Sequence, residues 1–195
     1  TEELTDTMDI VLASGSPRRK ELLETLGLDF AVVPAKGEEI APRGAGPAET
    51  VEALSRAKAE EVAKGFANAL IIAADTIVWA DGRILGKPKD ETDAKAMLHL
   101  LSDNTHEVYT GVTVMYGGKI VVGSECTKVF FRKLSEGEID RYVQTGEPMD
   151  KAGAYGIQGR AALMVRRLEG DYFNVMGLPL CRLGQMLEEI GVHLF

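Results

Sequence analysis

Apolar positions along this chain follow two different periods, and their succession predicts a mixed α/β fold. Ile10-Val11-Leu12-Ala13 and Ala69-Leu70-Ile71-Ile72-Ala73-Ala74 show no polar alternation, the pattern of strands buried on both faces of a parallel or mixed sheet. Further runs predict strands at Phe30–Val33, Ile77–Trp79, Ile84–Leu85 and Leu163–Val165, with Asp81-Gly82 as a hairpin turn. Val108–Met115 and Ile120–Phe131 flank a second hairpin at Tyr116-Gly117-Gly118-Lys119. Between these runs the spacing becomes helical. Leu22, Leu23 and Leu26 follow Ser16-Pro17 and stop at Gly27, an N-cap with proline at the first turn and a glycine stop. Val51, Leu54, Lys58 and Val62 mark a helix over Glu49–Lys64, and Ala94, Met97, Leu98 and Leu101 mark one capped by Asp90. Ser135 and Glu138 form a capping box opening a helix to about Val143. Pro179 opens the last helix, with Leu183, Met186, Leu187 and Ile190 inward, and Asn174 and Gly177 before it read as a turn.

Two stretches have neither period. Pro34–Pro47 holds three glycines, three prolines and the pair Glu38-Glu39, and Thr145–Gly159 is rich in glycine and hydrogen-bonding side chains. Loops of this length inside a compact domain tend to be functional. With 195 residues, 45% hydrophobic and 27% charged, the chain reads as one soluble domain over residues 10–195 behind a flexible lead-in over 1–9. No apolar run is long enough to cross a membrane, and the acidic start lacks a signal-peptide core. Two cysteines, Cys126 and Cys181, suggest neither a disulfide framework nor a zinc site, which fits the cytoplasm. A formal net charge of −8 argues against nucleic acid as partner, yet a small phosphorylated ligand needs only a local cluster of cations.

Such clusters exist. Ser14-Gly15-Ser16-Pro17-Arg18-Arg19-Lys20 joins a strand end to a helix start, where free amides and guanidinium groups bind phosphate; a plain basic turn is the other reading. Lys58 lies on the apolar stripe of its helix, either snorkelling from the edge or pointing inward at an anion. Asp75 ends the second unalternated run, and open α/β sheets bind ligands at the carboxyl ends of their strands. Lys87 precedes a proline and is held extended. His99, His106 and His193 lack metal-ligand neighbours and read as structural, and no covalent nucleophile is evident. Cations combined with Glu39 and Asp75 are the mixture phosphoryl chemistry uses.

At these residues the chain resembles the Maf family of nucleoside triphosphate pyrophosphatases. The matching pieces are Leu12–Arg19, Ala74–Val78, Gly86-Lys87-Pro88, Tyr109–Val112, Asp150–Gly159 and Gly177-Leu178-Pro179. The resemblance implies a mixed twisted sheet with flanking helices, in two lobes around a central cleft, as in the Maf/ITPase-like fold, and a homodimer. It implies cleavage of a nucleoside triphosphate to monophosphate and pyrophosphate with a divalent cation (Mg²⁺, Mn²⁺ or Co²⁺). By motif position Asp75 is the proton acceptor and, with Glu39, a metal ligand. Lys58 and Lys87 join them around the phosphates, Ser14 and Arg19 belong to the cradle, and Arg18, Thr76 and Gln158 are specificity positions. Where relatives read Ile-Asp-Glu this chain has Gly37-Glu38-Glu39, so either Glu39 or Glu38 serves as the acid. Ala-Asp-Thr and the Gln of Gly-Ile-Gln match the branch acting on dTTP and UTP. A sibling branch acting on 7-methyl-GTP, and a nucleotide sensor that binds without hydrolysis and acts on cell division, are the alternatives.

Overall fold

The computed structural model describes Glu2–Glu3 by their backbone and residues 8–195 in full; the expected lead-in over 1–9 falls mostly outside the described residues. A two-residue strand β1 (Glu2–Glu3) pairs in parallel with a strand near the end of the chain, Val192–His193. β2 (Ile10–Leu12) is followed by α1 (Pro17–Glu24), whose N-cap is Ser16 with Pro17 in the first turn. After β3 (Ala31–Val32) and the exposed loop come α2 (Pro47–Ala63) and the eleven-residue β4 (Leu70–Ala80). β5 (Arg83–Leu85) returns along β4, and α3 (Glu91–Leu101) starts at Asp90, whose carboxylate accepts the Asp93 N–H at 2.7 Å. β6 (Thr105–Tyr116) and β7 (Lys119–Phe131) follow, then α4 (Glu136–Gln144) behind the Ser135–Glu138 capping box. β8 (Val165–Glu169), α5 (Tyr172–Met176), α6 (Leu180–Glu189) and β9 (Val192–His193) complete the chain. Among the described residues the main sheet has seven strands in the order β3-β2-β4-β6-β7-β8, with β5 on β4. β2 pairs in parallel with β3 and β4, while β5 and β8 are antiparallel to their neighbours. The sheet is mixed, as the unalternated runs predict.

Three elements differ from the sequence reading. The run ending at Asp75 and the strand expected at Ile77–Trp79 are one continuous strand, because Thr76, Ile77, Val78 and Trp79 favour extended backbone and carry β4 on to Ala80. β8 begins at Val165 rather than ending there, since Arg160–Leu163 closes into a 3₁₀ turn. The polar pair Arg166-Arg167 lies on β8, an edge strand, where charge is tolerated, and both guanidinium groups lie over the Phe130 ring at 5.8 and 5.1 Å. The expected turn at Asn174 is the short α5, started by Asp171 Oδ1, which accepts the Phe173 N–H at 2.7 Å. Asn174 is fully buried and donates to the Val108 carbonyl and Thr127 Oγ1, each at 3.0 Å.

The chain divides into two compact units. The first comprises residues 1–75, 110–125 and 177–195; the second comprises 76–109 and 126–176. In the first, Val11 of β2, Ala13 just beyond it, and Ile71 and Ala73 of β4 pack with Ala59 and Val62 of α2. Small residues at 59, 69 and 73 let the helix lie close. Gly111 on β6 takes this furthest: a Cβ there would sit 2.1 Å from the Val51 carbonyl oxygen. Ser55 Oγ bonds Thr113 Oγ1 at 2.8 Å and Ser124 donates to Glu52 Oε1 at 2.7 Å, fixing the rotation of α2. In the second unit α3 packs on α4, burying Ala94, Leu98, Leu101, Ile139 and Val143.

Candidate active site

The seat of α2 decides where Lys58 points. With Val51, Ala59 and Val62 buried, Lys58 is carried to the edge of the same face and its side chain is only 18% exposed. Its Nζ lies 2.7 Å from Asp75 Oδ1 and 3.0 Å from Glu39 Oε1. A single ammonium therefore joins a buried carboxylate on a strand to a largely exposed one on a loop. Of the two periodicity readings of Lys58, the inward one describes the structure. Of the two acids in the loop, Glu39 is the one ion-paired to Lys58.

The β2–α1 corner belongs to the same unit. Ser14 is buried, and its Oγ accepts the Ser16 N–H at 3.2 Å and an Arg19 guanidinium N–H at 3.1 Å. Arg19 Nε donates to the Gly177 carbonyl at 2.7 Å. Gly177 has φ of +119°, a conformation reserved for glycine, and this accounts for the Gly177-Leu178-Pro179 motif: the last segment presents a carbonyl that aims the arginine. Desolvation lowers the Arg19 pKa, Asp75 raises it, Arg18 lowers it and Glu39 raises it. Those couplings place the Arg19 charge within electrostatic reach of both carboxylates. Arg18, half-buried, is the neighbouring cation on the first turn of α1. Ser14, Arg18, Arg19, Glu39, Lys58 and Asp75 thus all lie in the first unit.

The second unit holds the other three candidates. Thr76 is half-buried on β4. Lys87 is exposed in the bend before buried Pro88, and the Gly86 carbonyl accepts the Gly153 N–H at 3.1 Å. The Lys87 bend is thereby tied to the loop that carries Gln158. That loop is packed rather than irregular: 3₁₀ turns at Glu147–Asp150 and Ala152–Ala154 precede a buried stretch, Gly153–Ile157, and Gln158 is exposed just beyond it. The Tyr155 hydroxyl bonds His106 Nε2 at 2.6 Å, and both rings meet Phe131 edge-on. His106 is buried and structural, and burial pushes its pKa down to about 4. Tyr142 donates to Glu147 Oε1 at 2.9 Å and accepts the Gly156 N–H at 3.2 Å, while Glu147 Oε2 accepts the Arg160 N–H at 3.2 Å.

The donor set suits a hard divalent cation. Glu39 Oε1 and Asp75 Oδ1 both lie against the Lys58 ammonium, which makes the two carboxylates neighbours. No group of three or more His, Cys, Asp or Glu residues that could hold a metal occurs among the described residues. Mg²⁺ and its relatives take one or two carboxylates and complete their shell with water and substrate phosphates, so two acids fit that pattern. Sequence reasoning missed Glu61, whose carboxylate holds the Glu39 loop. The signal was its place three residues after Lys58, on the same helical face. No helix among the described residues is long and apolar enough to cross a membrane.

Comparison with known proteins places the chain in a family. A protein of Pelotomaculum thermopropionicum named dTTP/UTP pyrophosphatase is 53% identical over 95% of this chain and 98% of its own length. One of the same name from Agathobacter rectalis is 52% identical over 94% and 98%. Among solved structures, a HAM1 protein from Coxiella burnetii (TM-score 0.54, 18% identity, 94% of this chain and 100% of that one) and the Staphylococcus aureus Ham1 protein (0.54, 16%, 93% and 99%) share the fold. The family model of Maf-like proteins matches residues 9–190, and the chain belongs to the Maf family.

Proposed function

We propose that this chain is a nucleoside triphosphate pyrophosphatase that cleaves dTTP and UTP between the α- and β-phosphates, releasing the monophosphate and pyrophosphate. The observation that carries this reading is the Lys58 bridge between Asp75 and Glu39. A protein that only bound a triphosphate would need cations but no buried carboxylate held in hydrogen-bond contact with one. The names of the relatives support the pyrimidine substrates.

In this mechanism Asp75 is the general base. It takes a proton from the water whose oxygen attacks the α-phosphorus, while the bridging P–O bond breaks and pyrophosphate departs with the electron pair. Lys58 fixes the rotation of the Asp75 carboxylate through Oδ1. Glu39 and Asp75 would hold a divalent cation (Mg²⁺, Mn²⁺ or Co²⁺), which when bound supplies charge neutralisation on the phosphate oxygens. Ser14, Arg18 and Arg19 bind phosphate, Arg19 having been pre-oriented by the Gly177 carbonyl, and Lys87 adds a further cation. A hydroxyl and a carboxamide, Thr76 and Gln158, suit the mixed donor and acceptor edge of a pyrimidine. The family resemblance further supports a cytoplasmic homodimer; light scattering on the purified chain tests the dimer.

Asp75→Asn should fold normally and lose about two to four orders of magnitude in kcat, the usual worth of a general base. Pyrophosphate release is measured over a panel of triphosphates with and without metal, beside circular dichroism of the variant. Undiminished turnover in Asp75→Asn would remove the assignment. Turnover confined to 7-methyl-GTP would move the chain to the sibling branch, and tight binding with no product would make it a sensor.

A further inference from the structure

Lys58 and Glu61 stand three residues apart on α2 and share a helical face. Lys58 uses that face to reach Asp75 and Glu39. Glu61 uses it to reach the loop from which Glu39 projects: its Oε2 accepts the Lys36 N–H at 2.7 Å and its Oε1 the Gly37 N–H at 2.6 Å. Two successive amides on one carboxylate form charge-assisted bonds, stronger than neutral ones, at a point two residues before Glu39. The same contact explains the glycine. A Cβ at position 37 would lie 2.4 Å from Glu61 Oε1, so a side chain there and the clamp exclude one another unless the carboxylate swings away. Residues 36–44 are otherwise exposed, with little burial to define where Glu39 stands.

We propose that Glu61 is a positioning residue for Glu39: by gripping the Lys36 and Gly37 amides it sets the Glu39 carboxylate beside Lys58 before any ligand arrives. This rests on the reading of Glu39 as an acid that holds ligand at the candidate site. A loop ordered in advance spares the ligand the entropy of ordering it. Releasing the clamp therefore weakens binding, while Lys58 and Asp75, set on a helix and a strand, keep the chemical step intact. Loss of binding without loss of chemistry appears in KM rather than kcat.

Two measurements on the full chain test this. In steady-state kinetics with dTTP, Glu61→Ala should raise KM about tenfold, the scale of one loop's lost preorganisation, with kcat within about twofold of wild type. Glu61→Gln, which keeps one carbonyl oxygen, should fall between. Gly37→Ala should reproduce the KM increase by displacing the carboxylate, and Gly37→Ala/Glu61→Ala should be no worse than Glu61→Ala alone, because both remove one contact. In ¹⁵N-labelled protein without substrate, the Lys36 and Gly37 amides should exchange with solvent about ten times faster in Glu61→Ala than in wild type. Unchanged exchange, an unchanged KM, a loss confined to kcat, or multiplying effects of the two substitutions would each overturn the proposal. A wild type that releases no pyrophosphate would instead overturn the proposed function, and amide exchange would then decide the clamp by itself.

Discussion

The stretches Pro34–Pro47 and Thr145–Gly159 look alike in sequence, both long, glycine-rich and without period, yet they are built in opposite ways. The first is mostly exposed, with Ile40 at 73%, and is held by charged side chains of α2: Glu61, gripping two amides, and Lys58, paired with Glu39. The second folds into successive 3₁₀ turns and buries Gly153 to Ile157. It too is keyed by a carboxylate, but Glu147 sits inside the fold of the loop, where a Cβ on Gly159 would come within 2.5 Å of it. Its own Tyr155 ring packs edge-on against His106 and Phe131. The difference is between a segment positioned by charge at its surface and one positioned by burial. The first can be loosened at small cost to the fold, whereas the second cannot.

The sharpest way to break this contrast is to cut into the packed segment. Tyr155 is 5% exposed and packs edge-on against both His106 and Phe131. Tyr155→Ala should cost about 3–5 kcal/mol, as large-to-small changes at buried aromatics do, and should lower the midpoint of urea unfolding steeply. A loss below about 1 kcal/mol would mean that the segment is no better anchored than the exposed loop.

Acid should find the same segment. His106 has a folded pKa of about 4, held down by burial, against about 6.5 in an unfolded chain. Between these values the unfolded chain binds the proton and the folded one does not, so stability falls as pH drops from about 6.5 towards 4 and levels off below. The full effect is of the order of 3 kcal/mol from the difference between the two pKa values. Other groups titrate there as well, so the quantity to measure is the difference in unfolding free energy between wild type and His106→Gln across that range. It should shrink as pH falls. A difference independent of pH would remove His106 from the account.

The parts legible in the sequence are those governed by local rules. Ser16 and Pro17 starting α1, Asp90 capping α3 and the Ser135–Glu138 box were readable because a cap is decided within four residues. The unalternated runs at 10–13 and 69–74 announced β2 and β4 for the same reason. What was hidden depends on partners far along the chain. Lys58 could be read inward or outward until Gly111, Ser55 and Glu52 fixed the rotation of α2. Arg19 could be placed near phosphate by its motif, but not aimed, since its orientation comes from a carbonyl 158 residues away. Periodicity gave strand on both sides of Asp75, at 69–74 and 77–79, but not that the carboxylate sits inside one continuous β4; a lysine from α2 makes it a tolerable middle.

The smallest effect is the most discriminating. Glu61 makes its two bonds at the surface, where water can replace either partner, so their net contribution to folding is small even though they are charge-assisted. Glu61→Ala should therefore cost less than about 1 kcal/mol in urea unfolding, well below Tyr155→Ala, while leaving the slope of the transition unchanged. The change in KM and the near-constant stability belong together: a contact that matters for where Glu39 stands, but little for whether the chain folds, is what a surface clamp on an exposed loop must be. If Glu61→Ala destabilised the chain as much as Tyr155→Ala, the loop at 34–46 would be part of the packed structure after all, and the distinction between positioning by charge and positioning by burial would fail at its simplest case.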